Sequence, residues 1–442
     1  MSCVYVNDLP QVENVIDKIV APPQYEDKDI DELRESIQLI ITEFLRNNAR
    51  EYAEEDIEQQ IFEHVKGIMS LLYDCVFEIF DDINIDDHIT EGICLYFNLM
   101  GTPRSCPVAA CRKTPCVEDI SKRIDQLRKK SQPEQRTAEW YQFRWNKITA
   151  SSAWKALNSQ TSKNQLIYSK CVPIDSSRYS AFNVGSAAHH GNKYEDISKA
   201  IYEKTYGTVV EEFGCLEDES DDFIGASPDG INVKKDNILY GRLIEIKNPV
   251  SRKITGTPKR EYWVQMQMQM HVTKLHLCDF FETQIKEYES EEAFLKDGTF
   301  THTEKGQRKG IILCFHDGSR PMYEAAPLDC SECEFAEWSS RIIDAHNHLT
   351  WIMNSYWWLE SSSCVLVPYN ADWMDAVLPE FRQVWETVLY EREHGYSHRK
   401  PKKRQKREKL VSPLVIATVP EQLPQKNAII KVRTESFDES HL

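Results

Sequence analysis

The chain has 442 residues, of which 41% are hydrophobic and 28% are charged, and its net charge is −17. A chain of this length and composition can bury the cores of two to three domains. It contains no apolar run of about 18 residues, and its first residues lack the basic and apolar parts of a secretory signal. We therefore expect neither a membrane protein nor a secreted one.

The negative charge is confined to the first part of the chain. Residues 1–100 hold 23 acidic and 6 basic residues, which is the whole net charge, whereas the other 342 residues hold 47 of each. The larger part of the chain is therefore electrically balanced, and it need not repel a polyanion such as a nucleic acid.

Residues 1–118 are predicted to form an acidic helical region that ends in a linker. Two segments without proline carry apolar residues at helical spacing. The simplest interpretation is a small helical domain with a solvated acidic surface, and the alternative is a module that docks a partner or mimics DNA. The linker, residues 101–118, holds three prolines and three cysteines.

Residues 119–330 mix helical segments with short strand-like runs, such as 277–283 and 310–315, around a turn-rich centre. This pattern predicts an α/β or α+β domain. Residues 331–395 are rich in tryptophan and leucine, and we predict a helical extension there. Residues 396–442 are predicted to be a basic, disordered tail.

Eight of the eleven residues in 399–409 are basic. Such a run is typical of a nuclear localisation signal or of a DNA-binding arm, and a solvated tail with neither role is the alternative.

The 13 cysteines are odd in number and scattered along the chain. This usage favours a reducing, intracellular compartment over a disulfide framework. No further cysteine or histidine completes a four-ligand zinc set with Cys106, Cys111 and Cys116, or with Cys330 and Cys333.

The stretch from 225 to 249 carries the most informative chemistry, G-A-S-P-D-G followed by R-L-I-E-I-K-N-P. Residues two apart share one face of a strand, so Glu245 and Lys247 point the same way, while Ile244 and Ile246 point to the opposite face. Asp229 lies in a turn sixteen residues earlier, and a hairpin returning from that turn can place it beside Glu245.

Two carboxylates and a backbone carbonyl form an oxygen-rich site that suits Mg²⁺ or Mn²⁺. Such an ion binds a phosphate oxygen and lowers the pKa of a bound water, and a lysine can orient that water or offset charge. The arrangement is typical of phosphodiester hydrolysis, although the spacing alone is weakly specific.

Three further segments support this interpretation. Glu195 opens an apparent helix and is a candidate third carboxylate, the alternative being a first-turn glutamate favoured by the helix dipole. Gln265 begins a run in which glutamine alternates with methionine, a pattern that leaves strand and helix open. Arg144 and Ser151 are candidates for a phosphate contact, the alternative being a core-packing helix.

Taken in order, the motifs W-Y-x-x-R-x-x-x-I-T-A-S, G-x-x-Y-E, S-P-D-G, E-I-K-N-P and Y-W-V-Q-M-Q resemble those of the YqaJ-type viral recombinases. They are also similar to those of the lambda-type alkaline exonucleases, within the PD-(D/E)xK nuclease superfamily. The resemblance covers about 131–290. It implies a restriction-endonuclease-like core, a central mixed sheet flanked by helices, with the glutamine run on a helix beside the active site.

The resemblance also implies roles for individual residues. It implies that Asp229 and Glu245 bind the metal together with the carbonyl of Ile246, that Lys247 helps to activate the attacking water, and that Gln265 is the glutamine of the site. Glu195 matches the glutamate on the helix of the site. Three residues match positions that hold a terminal 5′-phosphate: Arg144, Ser151 and Ser227. The family has a further acidic residue about ten before Asp229, where Asp218 or Glu219 stands.

These roles together imply a Mg²⁺-dependent exonuclease that acts on the ends of double-stranded DNA, 5′ to 3′, in viral-type recombination, repair or replication. A single-strand annealing protein and a homo-oligomeric ring, a trimer in relatives, are the implied partners, and the host cytoplasm or nucleus is the implied location if the chain is viral. The alternatives are a structure-specific endonuclease on the same fold and an inactive scaffold that binds DNA ends.

Overall fold

A computed structural model of the chain describes residues 27–72, 84–109, 116–133, 137–174, 187–318 and 320–401. The helices of this part are α1 (Asp27–Asn47), α2 (Ile57–Leu72), α3 (Ile85–Leu99), α4 (Val117–Lys129), α5 (Ala138–Trp145), α6 (Ala150–Ala153), α7 (Gln160–Cys171), α8 (Ala187–Tyr206), α9 (Arg260–Thr273), α10 (Glu291–Lys296), α11 (Glu332–Ala345) and α12 (Ala371–His394). The strands are β1 (Cys106–Pro107), β2 (Ile148–Thr149), β3 (Val210–Glu211), β4 (Leu216–Glu217), β5 (Ile224–Ala226), β6 (Gly230–Asn232), β7 (Leu243–Lys247), β8 (Leu277–Glu287), β9 (Lys309–His316), β10 (Pro321–Ala325) and β11 (Thr350–Pro368).

Helices α1 to α3 occupy the region for which amphipathic helices are predicted. Their apolar stripes are buried, with Ile37, Ile41 and Ile61 fully shielded from solvent. These residues belong to one continuous core with residues of α9 and α12. The acidic region is therefore packed into the same body as the rest of the described chain, and its suggested docking or DNA-mimicking role stays a prediction.

An eight-stranded mixed sheet forms the centre of the fold. Its strand order is β10-β9-β11-β8-β7-β6-β3, with β1 added alongside β11. The pair β7–β8 is parallel, and the other neighbours are antiparallel. Helix α9 packs on one face of the sheet, and helix α8 packs on the other. This is the mixed α/β architecture with flanking helices that the sequence predicts, and strands β8 and β9 lie where two of the strand-like runs are found.

The predicted helical extension at 331–395 is wrong in its middle. Helices α11 and α12 flank β11, a strand of 19 residues that pairs with both β8 and β9. Aromatic and β-branched side chains, which fill 350–368, favour strands. Trp357, only 1% exposed, is thus buried from a strand and not from a helix.

A second, three-stranded sheet has the order β2-β5-β4, with β2 and β5 parallel. None of the helices in the described ranges is both long and apolar enough to span a bilayer. Apart from its first three residues, the basic run 399–409 lies outside the described residues.

The pairing of β9 with β11 can be tested at Gly310, which lies opposite Trp357. A Cβ at this position would lie 2.7 Å from Cζ2 of the Trp357 ring. We expect Gly310→Ala to lower the free energy of unfolding by about 1–3 kcal/mol because the indole must move. The matched control is Gly67→Ala in α2, where a Cβ meets nothing within 4 Å and the helix should gain up to about 1 kcal/mol. Urea unfolding followed by circular dichroism measures both, and equal stability of the two variants would contradict the pairing.

Candidate active site

The two carboxylates are brought together by the antiparallel pairing of β6 with β7. Gly230 lies opposite Ile244 in this ladder, so one further step of the register sets Asp229 opposite Glu245. The Ile246 amide donates a hydrogen bond of 2.7 Å to Oδ2 of Asp229, which fixes the turn carboxylate against the strand. This is the hairpin arrangement that the sequence suggested.

Lys247 lies on the same face of β7 as Glu245. Its ammonium donates to Oε1 of Glu245 and lies 5.2 Å from the centre of the Tyr262 ring. The Glu245 side chain is fully buried, whereas that of Lys247 is 25% exposed. The buried carboxylate thus lies beneath a cation that reaches solvent.

The electrostatics of the cluster favour a cation. Burial and the nearby charge of Glu245 raise the pKa of Asp229 well above its ordinary value, although Lys247 opposes this shift. Burial lowers the pKa of Lys247, but the charges of Glu245 and Asp229 outweigh it and raise the pKa overall. Two carboxylates share one lysine, so a divalent ion would relieve the remaining repulsion.

Glu195 approaches the pair from α8. Its negative charge is a further cause of the raised pKa of Asp229, and the residue is half-buried. Helix α8 already begins at Ala187, so Glu195 lies in the middle of the helix. The alternative of a first-turn glutamate, which needs the helix to start near 195, is therefore wrong.

Gln269, which the sequence interpretation did not select, is the glutamine that contacts the carboxylates. Its side-chain amide donates to Oε2 of Glu245 at 2.7 Å and to the carbonyl of Ser227 at 3.1 Å. Gln265 lies one turn earlier on the same side of α9, is half-buried, and makes no hydrogen bond within the described residues. Because both glutamines lie on one side of the helix, no local signal in the sequence selects Gln269 over Gln265.

Asn248 is a second residue that the sequence interpretation missed. Its side-chain oxygen accepts hydrogen bonds from Ser198 at 2.7 Å and from Thr283 at 2.5 Å, and its amide donates to the Gly191 carbonyl at 3.3 Å. These contacts tie the end of β7 to α8, the helix that carries Glu195. The asparagine directly after the lysine was visible in E-I-K-N-P, but only the fold supplies its partners.

The three candidate phosphate-binding residues are gathered by the small sheet. Thr149 lies opposite Gly225 in the parallel pair β2–β5, and Ser151 follows in helix α6, which packs against β5. Nη2 of Arg144 donates to the Ser151 hydroxyl at 3.4 Å. Burial raises the pKa of the Cys215 thiol, whereas the charge of Arg144 and a hydrogen bond with Ser227 lower it, so both residues lie near this thiol. Arg144, Ser151 and Ser227 therefore lie close to one another.

The donor set fits a hard divalent cation, because it offers two carboxylates and a backbone carbonyl, with Glu195 in addition. Both oxygens of Glu245 are engaged, one by Lys247 and the other by Gln269, so metal binding requires a rearrangement there. In the part of the chain that the structure describes, no three histidine, cysteine, aspartate or glutamate side chains converge as a preformed metal cluster.

Neither candidate for the family's additional acidic residue joins the pair. Oδ2 of Asp218 accepts a hydrogen bond from Lys274 at 2.9 Å. Glu219 pairs with Arg123 at 2.6 Å and with Lys130 at 3.1 Å. Both carboxylates are thus held by other cations.

Comparison with known proteins identifies the class of this segment. Residues 139–276 match the model of the YqaJ-like viral recombinase domain, which confirms the resemblance seen in the motifs. The matched segment contains every residue of the candidate site and ends immediately before β8.

Two relatives can be named. An uncharacterized protein of Acanthamoeba polyphaga mimivirus is 32% identical over 312 residues, which are 62% of this chain and 56% of the relative. The chain thus spans just over half the length of that relative. An alkaline exonuclease (LHK-Exo) from Laribacter hongkongensis, solved also in complex with dAMP, is 19% identical, with a TM-score of 0.33, and the match covers 59% of this chain and 95% of that protein. At this TM-score we transfer no residue role from it.

The contact between Gln269 and Glu245 can be tested by adding a charge. We expect Gln269→Glu to lower the free energy of unfolding by about 3 kcal/mol at neutral pH, because it places a second carboxylate against a fully buried one. Gln265→Glu, on the same helix, is the matched control and should cost under about 1 kcal/mol. Chemical unfolding measures the stability of both variants. A larger loss of stability in Gln265→Glu than in Gln269→Glu would show that Gln269 is not the glutamine in contact with Glu245.

Proposed function

We propose that the chain is a metal-dependent exonuclease that hydrolyses phosphodiester bonds of linear double-stranded DNA from the 5′ end. One observation carries the proposal: the S-P-D turn joins the phosphate subsite, formed by Arg144, Ser151 and Ser227, to the carboxylate pair. Ser227 and Asp229 are two residues apart, so their Cα atoms are separated by at most about 7 Å. A terminal phosphate bound beside Ser227 leaves room for about one nucleotide before the carboxylate pair, which suits release of mononucleotides from an end.

The residues that would hold Mg²⁺ or Mn²⁺ are Asp229, Glu245 and the carbonyl of Ile246, with Glu195 as a further ligand. When bound, the ion supplies Lewis-acid polarisation of the scissile phosphate and lowers the pKa of a coordinated water. Gln269 orients Glu245 from beneath, and Asp229 is oriented by the Ile246 amide. These hydrogen bonds hold both carboxylates next to each other, and Glu245 must exchange one of its two partners to bind the ion.

Lys247 acts in this proposal as a hydrogen-bond donor and not as a base. Its raised pKa keeps the amine protonated at neutral pH. With a divalent ion on Glu245, the ammonium of Lys247 would be free to donate to the attacking water or to a phosphate oxygen. It thereby offsets the negative charge that develops on the phosphorane.

The charge distribution and the match to the family model both support DNA as the substrate. Outside the first 100 residues the chain is balanced, and the matched domain is the one described for viral recombinases. An annealing protein, a ring-shaped oligomer, an intracellular location and the domain limits 1–118, 119–330, 331–395 and 396–442 rest on the sequence alone and stay predictions.

The carboxylate–lysine cluster is tested by Glu245→Gln and Lys247→Ala. We expect each to reduce Mg²⁺-dependent degradation of linear duplex by at least about 10²-fold, since a group active in the transition state contributes that much or more. The assay follows nucleotide release from end-labelled duplex, with EDTA as the metal-free reference. Lys296→Ala, an exposed lysine paired with Glu292, is the control and should keep full activity.

Three outcomes would redirect the proposal. Undiminished degradation by a purified, folded Glu245→Gln/Lys247→Ala double variant would remove these residues from catalysis. Cleavage of closed circular duplex by the wild type would favour a structure-specific endonuclease, because an exonuclease requires an end. Tight binding of ends without nucleotide release in any divalent metal would favour the inactive scaffold.

End recognition is tested at Arg144. We expect the wild type to prefer 5′-phosphorylated ends over 5′-hydroxyl ends, and Arg144→Ala to reduce this preference about tenfold or more, since a hydrogen bond to a charged group contributes about 1.5–3 kcal/mol. Degradation rates of one duplex with either end measure the preference. Arg320→Ala, an exposed arginine paired with Asp317, serves as the control. Equal rates on the two ends by the wild type would exclude a 5′-phosphate role for Arg144.

A further inference from the structure

Helix α12 reaches back to the phosphate subsite through Arg392. Its guanidinium carbon stacks 3.5 Å from the centre of the Trp145 ring and lies 5.3 Å from that of Trp385. Three hydrogen bonds leave the same group: Nη2 to the Trp145 carbonyl at 2.9 Å, Nε to the Lys170 carbonyl at 2.9 Å, and Nη1 to Oδ1 of Asn146 at 3.2 Å. One side chain thus ties α12 to the ends of α5 and α7.

Both helices that Arg392 holds end next to Arg144. Helix α5 ends at Trp145, directly after Arg144. Lys170, in the last turn of α7, is buried and donates to the Arg144 carbonyl at 2.7 Å. Burial and the charge of Arg144 lower the pKa of Lys170 to about 7. Cations at the carbonyl ends of two helices satisfy orphan acceptors and complement the helix dipoles.

The position of Arg144 therefore depends in part on a residue outside the matched family segment. Its main chain is fixed by Lys170, and that of its neighbour Trp145 by Arg392, whereas residues 139–276 contain no part of α12. The Arg144 side chain lies over Trp140, 4.3 Å from its ring centre, and reaches Ser151. A shift of the end of α5 would move the guanidinium away from the two serines.

We propose that Arg392 is a positioning residue for recognition of the DNA end, which holds Arg144 in place for the 5′-phosphate. The inference rests on the proposed function and deepens it, because it assigns helix α12 a role in the phosphate subsite. Arginine suits this task better than lysine, because a planar fork can stack and donate to several acceptors at once.

The experiment measures the ratio of kcat/KM for 5′-phosphorylated ends to that for 5′-hydroxyl ends of the same duplex. This ratio does not depend on the fraction of enzyme that is folded, so a general loss of stability leaves it unchanged. We expect Arg392→Ala to lower the ratio about tenfold and Arg392→Lys to lower it at least about threefold, since lysine keeps the charge but not the fork. If Arg392→Ala does not fold, Arg392→Lys decides by itself.

Two controls sharpen the test. Arg382→Ala lies on the same helix and removes a pair with Asp221 at 2.8 Å, and it should leave the ratio at the wild-type value. In the double variant Arg144→Ala/Arg392→Ala the ratio should fall no further than in Arg144→Ala, because residues that act through one group are not additive.

The outcomes separate the two proposals. A wild type that does not degrade DNA, or that has no end preference, overturns the proposed function or its phosphate subsite. A wild type whose preference is lost in Arg144→Ala but kept in both Arg392 variants overturns this inference alone, as does a fully additive double variant.

Discussion

The ladder between β6 and β7 is the constraint on which the rest of the site depends. Its register sets Asp229 opposite Glu245 and directs the Ile246 amide at the turn carboxylate. The parallel partner β8 then fixes β7 from the other side, so the strand cannot slip without turning Glu245 to the opposite face. Like charges are thereby held together in a buried place, and Lys247 compensates for them only in part.

Two sheets meet at the S-P-D turn, and this junction brings two groups of candidate site residues together. Ser227 follows β5 of the small sheet and Ser151 lies in α6 directly after β2, whereas the large sheet supplies the carboxylates through β6 and β7. Because only Pro228 separates Ser227 from Asp229, the two groups of residues are covalently fixed at a short spacing. Gln269 adds a second link, since its amide donates both to the Ser227 carbonyl and to Glu245.

Much of this geometry was accessible from the sequence, for stated physical reasons. Period-two alternation put Glu245 and Lys247 on one face, and turn residues suggested the hairpin with Asp229. The contact of Gln269 was not accessible, because Gln265, Gln267 and Gln269 are locally equivalent and only packing of α9 on the sheet distinguishes them. Strand β11 was missed because tryptophan-rich runs occur in helical cores and in strands alike, and its partners β8 and β9 lie far away in sequence. Arg392 was missed because its partners Trp145 and Lys170 also lie far away in sequence.

The central place of β11 has a consequence for the biogenesis of the protein. During synthesis Gln269 is the last residue of the candidate site to be translated, but the strand that joins β8 to β9 is complete only at Pro368. Until about a hundred further residues have been translated, β8 keeps an open edge, and contacts of such long sequence separation form slowly. A nascent or truncated chain that ends before Pro368 therefore carries all the acidic residues of the candidate site without the complete sheet that holds them.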